Sequence, residues 1–353
     1  MGTGADVELK YYPAQRIREF AAALLLGMGA SEEEAAIVAD GLTTACLWWH
    51  PGQGQGLEKF FRYHHQVKLG GLVPQAPMRW VLEHGAVALL DAGKGFGYVA
   101  AHRAMRKAVD LATRAGIGYV AVRNSNHFGI AGYHARVATA HGCIGLAMTN
   151  ATAEMAPWGA KTAALGTNPW GLGVPRRDAP PIVLDMALTM AGIGMIKWAL
   201  REGRPVPDDW ALTADGRRSS DPAELLGGTQ LPIGQYKGYG LSLFTDVLTG
   251  VLSGAKFGLA VFQDLQDCDV GHVLIAVHID TFMPREEFFD RLERLIHDVK
   301  TAQPIRPGDE ILLPGEREFR RMRERERHGV PIDARTVEGL REVAAELKVP
   351  FTL

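Results

Sequence analysis

Between residues 87 and 148 short apolar runs alternate with stretches of helical period, and that alternation restricts the chain to folds that lay helices against a sheet. Residues 87–90 read as a strand, followed by a glycine-rich turn at 93–97. Residues 101–114 read as a helix that Gly116 ends, since glycine takes the left-handed conformation a helix C-terminus favours. Then come a buried strand over 118–122, a helix over 130–141 and another strand over 144–148. The segment SNHFG, residues 125–129, therefore falls on a strand-to-helix turn, where side chains stand at a sheet edge.

Upstream, residues 14–47 are helical in two pieces, broken at Gly29 and restarted by Ser31 and Glu34, a capping-box pair. The stretch HPGQGQG, residues 50–56, has no period and joins this lobe to a helical piece carrying Lys59, Arg62 and Tyr63. Downstream, 181–184 read as a strand, 187–201 and 239–252 as helices, and 272–278 as a buried strand. EREFRRMRERERH, residues 316–328, alternates charge at helical spacing and reads as a solvated helix face. With no internal repeat and no flexible tether, the expected organisation is interleaved. It comprises an N-terminal helical lobe over 1–75, a cofactor and catalytic α/β region over 76–255, and a C-terminal α/β segment over 256–353 that completes the fold.

Of the 353 residues 47% are hydrophobic, enough for a sizeable core. The formal charge of −2 with dispersed basic residues lacks the footprint of a nucleic-acid or membrane-surface binder, so small-molecule chemistry is expected. Cys46, Cys143 and Cys268 are odd in number and far apart, which fits neither a disulfide framework nor a zinc site and points to the cytoplasm. The opening residues lack a signal-peptide pattern, no stretch is long enough to span a membrane, and Asp6 stands where a myristoylation signal needs Ser or Thr.

The glycine fingerprint of a Rossmann dinucleotide site is absent. GQGQG at 52–56 and GKGFG at 93–97 have the wrong spacing and no acidic partner, and neither matches a phosphate-binding P-loop. No metal-ligand motif occurs, so no metal is expected, and His64 with His65 reads as a surface pair. His127 stands apart, flanked by Asn124, Ser125, Asn126 and Gly129. A turn imidazole there titrates near neutrality with its other nitrogen held, the alternative being a satisfied structural histidine. Asp185 ends the apolar run PIVLDMA, at a strand edge where ligand crevices lie, or else caps the helix after it. Lys237, in GQYKGYGL, precedes an apolar helix and suits a phosphate or carboxylate, or is a solvated loop lysine. Thr167 and Asn168, with Pro169, are turn formers that also bring donors.

Taken in order, VRNSNHFGIAGYHA, LGTNPWG, VLDMA, WALTADG, KGYGLSL and LPGE resemble the type-2 malate/L-lactate dehydrogenase family. That family includes sulfolactate and ureidoglycolate dehydrogenases, diketogulonate reductases and piperideine-2-carboxylate reductases. The resemblance implies a mixed α/β, non-Rossmann fold with interleaved domains. It also implies a homodimer that binds NAD or NADP in an extended crevice near the subunit interface. It makes His127 the acid/base residue, working with Asp185 while hydride moves to or from C2 of a small carboxylic acid. Asp185, Met186, Ala187, Thr189, Lys237, Gly315 and Glu316 are the implied cofactor contacts.

One loop departs from the family pattern. Most relatives carry D-S-H-G and then an arginine three residues later, where this chain reads Gln53, Gly54, Gln55, Gly56 and Lys59. Gln55 hydrogen-bonds but exchanges no proton at neutral pH, and lysine lacks the planar fork of arginine. His50 stands nearby in sequence. His50, Gln55, Lys59, Thr167 and Asn168 are the expected substrate side, and Trp48, Trp49 and Trp170 line an enlarged pocket or belong to the core. A 2-hydroxyacid dehydrogenase, a cyclic imino-acid reductase and a cofactor-binding homologue with weak or lost catalysis are the three functions to separate.

Overall fold

The computed structural model describes residues 7–353, so the opening Met-Gly and Asp6 lie outside it. Strand β1 (Leu9–Tyr12) leads into helices α1 (Ala14–Gly27), α2 (Glu32–Trp48) and α3 (Lys59–Leu69). The capping box is present, with the Ser31 hydroxyl accepting from the Glu34 amide and the Glu34 carboxylate from the Ser31 amide. An edge hairpin of β2 (Arg79–His84) and β3 (Val87–Asp91) precedes α4 (Gly97–Ala115), which starts four residues earlier than its period suggests. Strand β4 (Ile117–Ser125), helix α5 (Ala131–Thr139) and strand β5 (Cys143–Thr149) keep the alternation expected of them.

Short strands β6 (Ala153–Met155) and β7 (Leu165–Gly166) are followed by β8 (Trp170–Val174), β9 (Ile182–Met186) and helix α6 (Ile193–Glu202). Here one expectation fails. The helix expected from residue 187 begins only at Ile193, because the backbone before it is bonded elsewhere. The Leu188 amide donates to the Thr167 carbonyl at 2.8 Å and the Met190 amide to the Leu231 carbonyl at 2.9 Å. Asp185 consequently caps no helix following it.

Strand β10 (Ala211–Leu212), helix α7 (Pro222–Leu225) and strand β11 (Thr229–Gln230) lead to α8 (Tyr236–Asp246), which continues as a π-helical turn over Val247–Val251. The chain ends with β12 (Val270–His278), α9 (Arg285–Lys300), α10 (Glu316–His328), β13 (Val330–Asp333) and α11 (Ala334–Glu346).

Seven strands form the main sheet, in the order β2-β3-β4-β12-β5-β8-β9, with β3 and β4 parallel and the other neighbours antiparallel. A strand from late in the chain thus occupies the middle. Helices α4 and α5 cover one face, and an alanine-rich core lies beneath them. Those helices seat directly on strand glycines, since a Cβ at Gly145 would stand 2.3 Å from the Ala135 carbonyl oxygen. A second, larger core joins α1, α2, α3 and α11, and β1 pairs antiparallel with β13, Leu9 opposite Asp333, so the chain ends close on one another.

Candidate active site

The turn between β4 and α5 is held from below by Asn126. This buried amide donates from Nδ2 to the carbonyls of Gly71 (3.1 Å), Lys94 (2.9 Å) and Gly95 (3.2 Å), and its Oδ1 accepts from Gln66 Nε2 at 2.9 Å. Two loops distant in sequence are thereby fixed to the residue before His127. His127 Nδ1 accepts the Gly129 amide proton at 3.1 Å, which assigns the proton of the neutral ring to Nε2.

Three imidazoles cluster here, and they differ in role. Phe128 stacks against His272 at 4.8 Å and His134 at 4.9 Å. His272 bridges the hydroxyls of Thr149 (2.8 Å) and Ser125 (2.9 Å), while His134 Nε2 bonds the Phe128 carbonyl at 2.6 Å. Burial pushes both down to about 3, so they stay neutral and act as scaffold. His127 alone of the three lines a cavity of about 440 Å³. Burial also lowers its pKa well below the ordinary value, and Lys59 and Arg62 add to the effect.

Asp185 projects from the end of β9 into the same cavity. Its carboxylate accepts the Trp49 indole N–H at 3.2 Å and the amides of Ala131 and Gly132, so it caps the start of α5 across the sheet. Burial outweighs those donors and pushes its pKa up to about 6. Among the described residues no hydrogen bond joins it to His127.

The cavity also gathers Gln55, Lys59, Thr167, Met186, Ala187 and Thr189. Two of these carry polar atoms, Thr189 Oγ1 and Gln55 Oε1, that are buried without a partner among the described residues. Helix α6 opens onto the cavity through residues 190–194, and its Gly192 cap has no side chain to bond the first amides. A nicotinamide carboxamide and an acidic group would meet the complementary donors and acceptors here, so the residues fit the expected cofactor.

Other expected site residues lie elsewhere. His50 lines a neighbouring crevice and not this cavity, its Nδ1 accepting the Gly52 amide at 3.0 Å and its ring edge-on to Trp198. Asn168 is buried and bonded to the Ala151 amide, the Ser242 carbonyl and Asp246, which makes it a fold clamp. Lys237 is exposed on the first turn of α8, four residues beyond the cavity-lining Ile233. Gly315 begins α10, and Glu316 is held at about 2 by Lys300, Arg320 and the Leu313 amide. The Pro314 carbonyl beside them accepts from Val183, so this segment braces the strand that ends in Asp185.

Arg62 and Glu154 escaped sequence reasoning as site groups, and of the three tryptophans expected at a pocket or in the core one lines the cavity. Arg62 lies one turn beyond Lys59 on the same face of α3, a spacing that was available in the sequence, and it restores the guanidinium that lysine at 59 lacks. Trp49 reaches the cavity, whereas Trp48 is core and Trp170 donates to Thr245. Glu154 arrives from β6 through the small sheet β10-β11-β6-β7 and carries no local signal.

A family model described as malate/L-lactate dehydrogenase matches residues 12–341. The chain is 36% identical over 346 residues to a malate dehydrogenase of Pyrococcus abyssi, covering 96% of this chain and 95% of that one. It is 37% identical over 327 residues to an L-sulfolactate dehydrogenase of Methanocaldococcus jannaschii, covering 92% and 93%. Its structure resembles the crystal structure of malate dehydrogenase from Entamoeba histolytica, with a TM-score of 0.92, 30% identity, and coverage of 97% and 99%.

Proposed function

The chain belongs to the malate/L-lactate dehydrogenase family and is an oxidoreductase, and from that premise we propose that it moves hydride between NAD or NADP and C2 of a small 2-oxo or 2-hydroxy acid. The observation that carries this reading is the meeting of His127, Asp185, Lys59 and Arg62, from three separate segments, in one cavity.

When bound, the nicotinamide cofactor supplies or accepts the hydride. Asp185, Met186, Ala187 and Thr189 would hold its ring end, the free Thr189 hydroxyl meeting the carboxamide. Lys59 and Arg62 hold the acid's carboxylate, one as a point charge and the other as a planar fork. In reduction the protonated His127 gives its Nε2 proton to the oxygen gaining charge at C2, and in oxidation the neutral ring takes it back. The bound carboxylate also offsets the two cations that depress His127, so substrate binding loads the proton donor. Gln55 orients without exchanging protons.

A homodimer is part of the same reading. It is supported by Leu243, Phe244, Val251 and Leu252, which leave α8 and the turn after it with an exposed apolar face. Among the described residues no helix is long and apolar enough to cross a membrane. The unpaired Cys46, Cys143 and Cys268 support placement in the cytoplasm.

The test is a screen of oxo acids and cyclic imines for oxidation of NADH and NADPH, beside His127→Ala. The variant should lose roughly 10²–10⁴-fold in turnover. Activity retained within about tenfold would assign the proton transfer to another group.

A further inference from the structure

The polar lining of the cavity says more about the acid than that it has a carboxylate. Of the charged groups there, Asp185 is already engaged by the Trp49 indole and two backbone amides. Glu154 is engaged at one oxygen only. Gln230 Nε2 donates to its Oε2 at 2.8 Å, and among the described residues its Oε1 has no hydrogen-bond donor. Burial raises its pKa above the ordinary value, while the Gln230 hydrogen bond and the charges of Arg62, Lys197 and Lys59 pull the other way.

Gln55 is a second unused acceptor. Its Nε2 faces the Gln53 carbonyl at 3.5 Å, and exchanging the amide's nitrogen and oxygen would set oxygen against oxygen. That fixes Oε1 as the buried atom without a partner. Once a ligand displaces water from the cavity, an orphaned acceptor needs a donor on that ligand, and a carboxylate or sulfonate brings only more acceptors.

The charge pattern leads the same way. Lys59 and Arg62 share the cavity with two carboxylates, Glu154 and Asp185, so the lining carries no excess positive charge. One carboxylate of the substrate is received by the two cations, and no further cation of the lining awaits a second. A second acidic group would stand against Glu154 in a partly desolvated space, where like charges repel strongly.

Resting on the reading that this cavity binds a 2-oxo acid, we infer that the preferred substrate is a monoanion bearing hydroxyl or N–H donors beyond C2. Gln55 and Glu154 read those donors and select against dianions such as dicarboxylates and sulfonated oxo acids.

A size-matched series tests this with the wild-type enzyme: 2-oxobutyrate, 4-hydroxy-2-oxobutyrate and oxaloacetate, each offered with NADH and NADPH. The hydroxylated acid should exceed 2-oxobutyrate in kcat/KM by about tenfold, the worth of one well-made hydrogen bond, and oxaloacetate should fall below both. Glu154→Gln, which keeps an acceptor and removes the charge, should raise oxaloacetate relative to 2-oxobutyrate by about tenfold or more. Gln55→Leu should erase part of the advantage of the hydroxylated acid. Oxaloacetate leading the wild-type series overturns the inference while leaving hydride transfer intact, and that result depends on no variant folding. No turnover across the series and a wider panel of oxo acids and imines sinks the hydride-transfer reading, and the inference with it.

Discussion

Replacing Asp185 with Asn should remove a pH-dependent loss of stability worth about 3 kcal/mol. Burial carries this carboxyl from its ordinary 3.8 to about 6 in the folded protein, against the pull of Trp49, Ala131 and Gly132. Between those values the folded state holds a proton that the unfolded chain has released, so stability falls as pH rises through the window. Above it the whole effect is present, and at about 1.36 kcal/mol for each tenfold change in proton affinity it comes to about 3 kcal/mol. Asn has no proton to lose. Urea unfolding of both proteins at pH values from about 4 to about 7.5 gives the difference in ΔG between them. That difference should move in the variant's favour by roughly 2–4 kcal/mol across the range. The new NH₂ group will also face a donor, either Trp49 Nε1 or a backbone amide, at a cost of about 1–3 kcal/mol. That offset does not vary with pH, so only the slope is diagnostic. A difference curve level to within about 0.5 kcal/mol would show that the carboxyl is not held out of water, and the account of its role would fail.

Other outcomes follow from the same geometry. For oxidation of a hydroxy acid, kcat/KM should be level near neutrality, because neutral His127 is the base and burial, Lys59, Arg62, His272 and His134 all depress its pKa. It should decline as Lys59 loses its charge near 8, and an ascending limb centred above the ordinary histidine value of 6.5 would contradict this. Asn126→Ala removes the donors to Gly71, Lys94 and Gly95. It should cost about 3 kcal/mol in denaturant unfolding and lower kcat more than it raises KM, since the base is displaced. Gly145→Ala sets a methyl group 2.3 Å from the Ala135 carbonyl oxygen and should yield little folded protein by circular dichroism.

Local chemistry explains which features could be read in advance. Ser31 and Glu34 announce a helix start within four residues, and the capping box is there. The strand, turn and helix around SNHFG were legible because periods of two and 3.6 and a left-handed Gly129 at φ 84 are properties of neighbours in the chain. Lys59 was expected on the substrate side, whereas Arg62, one turn further along α3, was legible as a cation but not as a cavity cation. The false start of the helix at 187 came from the same local logic. Nothing in MALTM reveals that its amides are already spent on Thr167 and Leu231.

Its own residues, read in order, therefore determined the mixed α/β class, the turn that presents His127 and the strand end that presents Asp185. Only the tertiary structure decided that β12 enters the middle of the sheet and that Glu154 joins Gln55 in the cavity. The closed structure likewise left His50, Asn168, Lys237, Gly315 and Glu316 off that cavity. The reason is physical: periodicity and capping act between residues a turn apart, whereas a cavity wall is assembled by burial, and burial joins whichever segments the closed fold brings together.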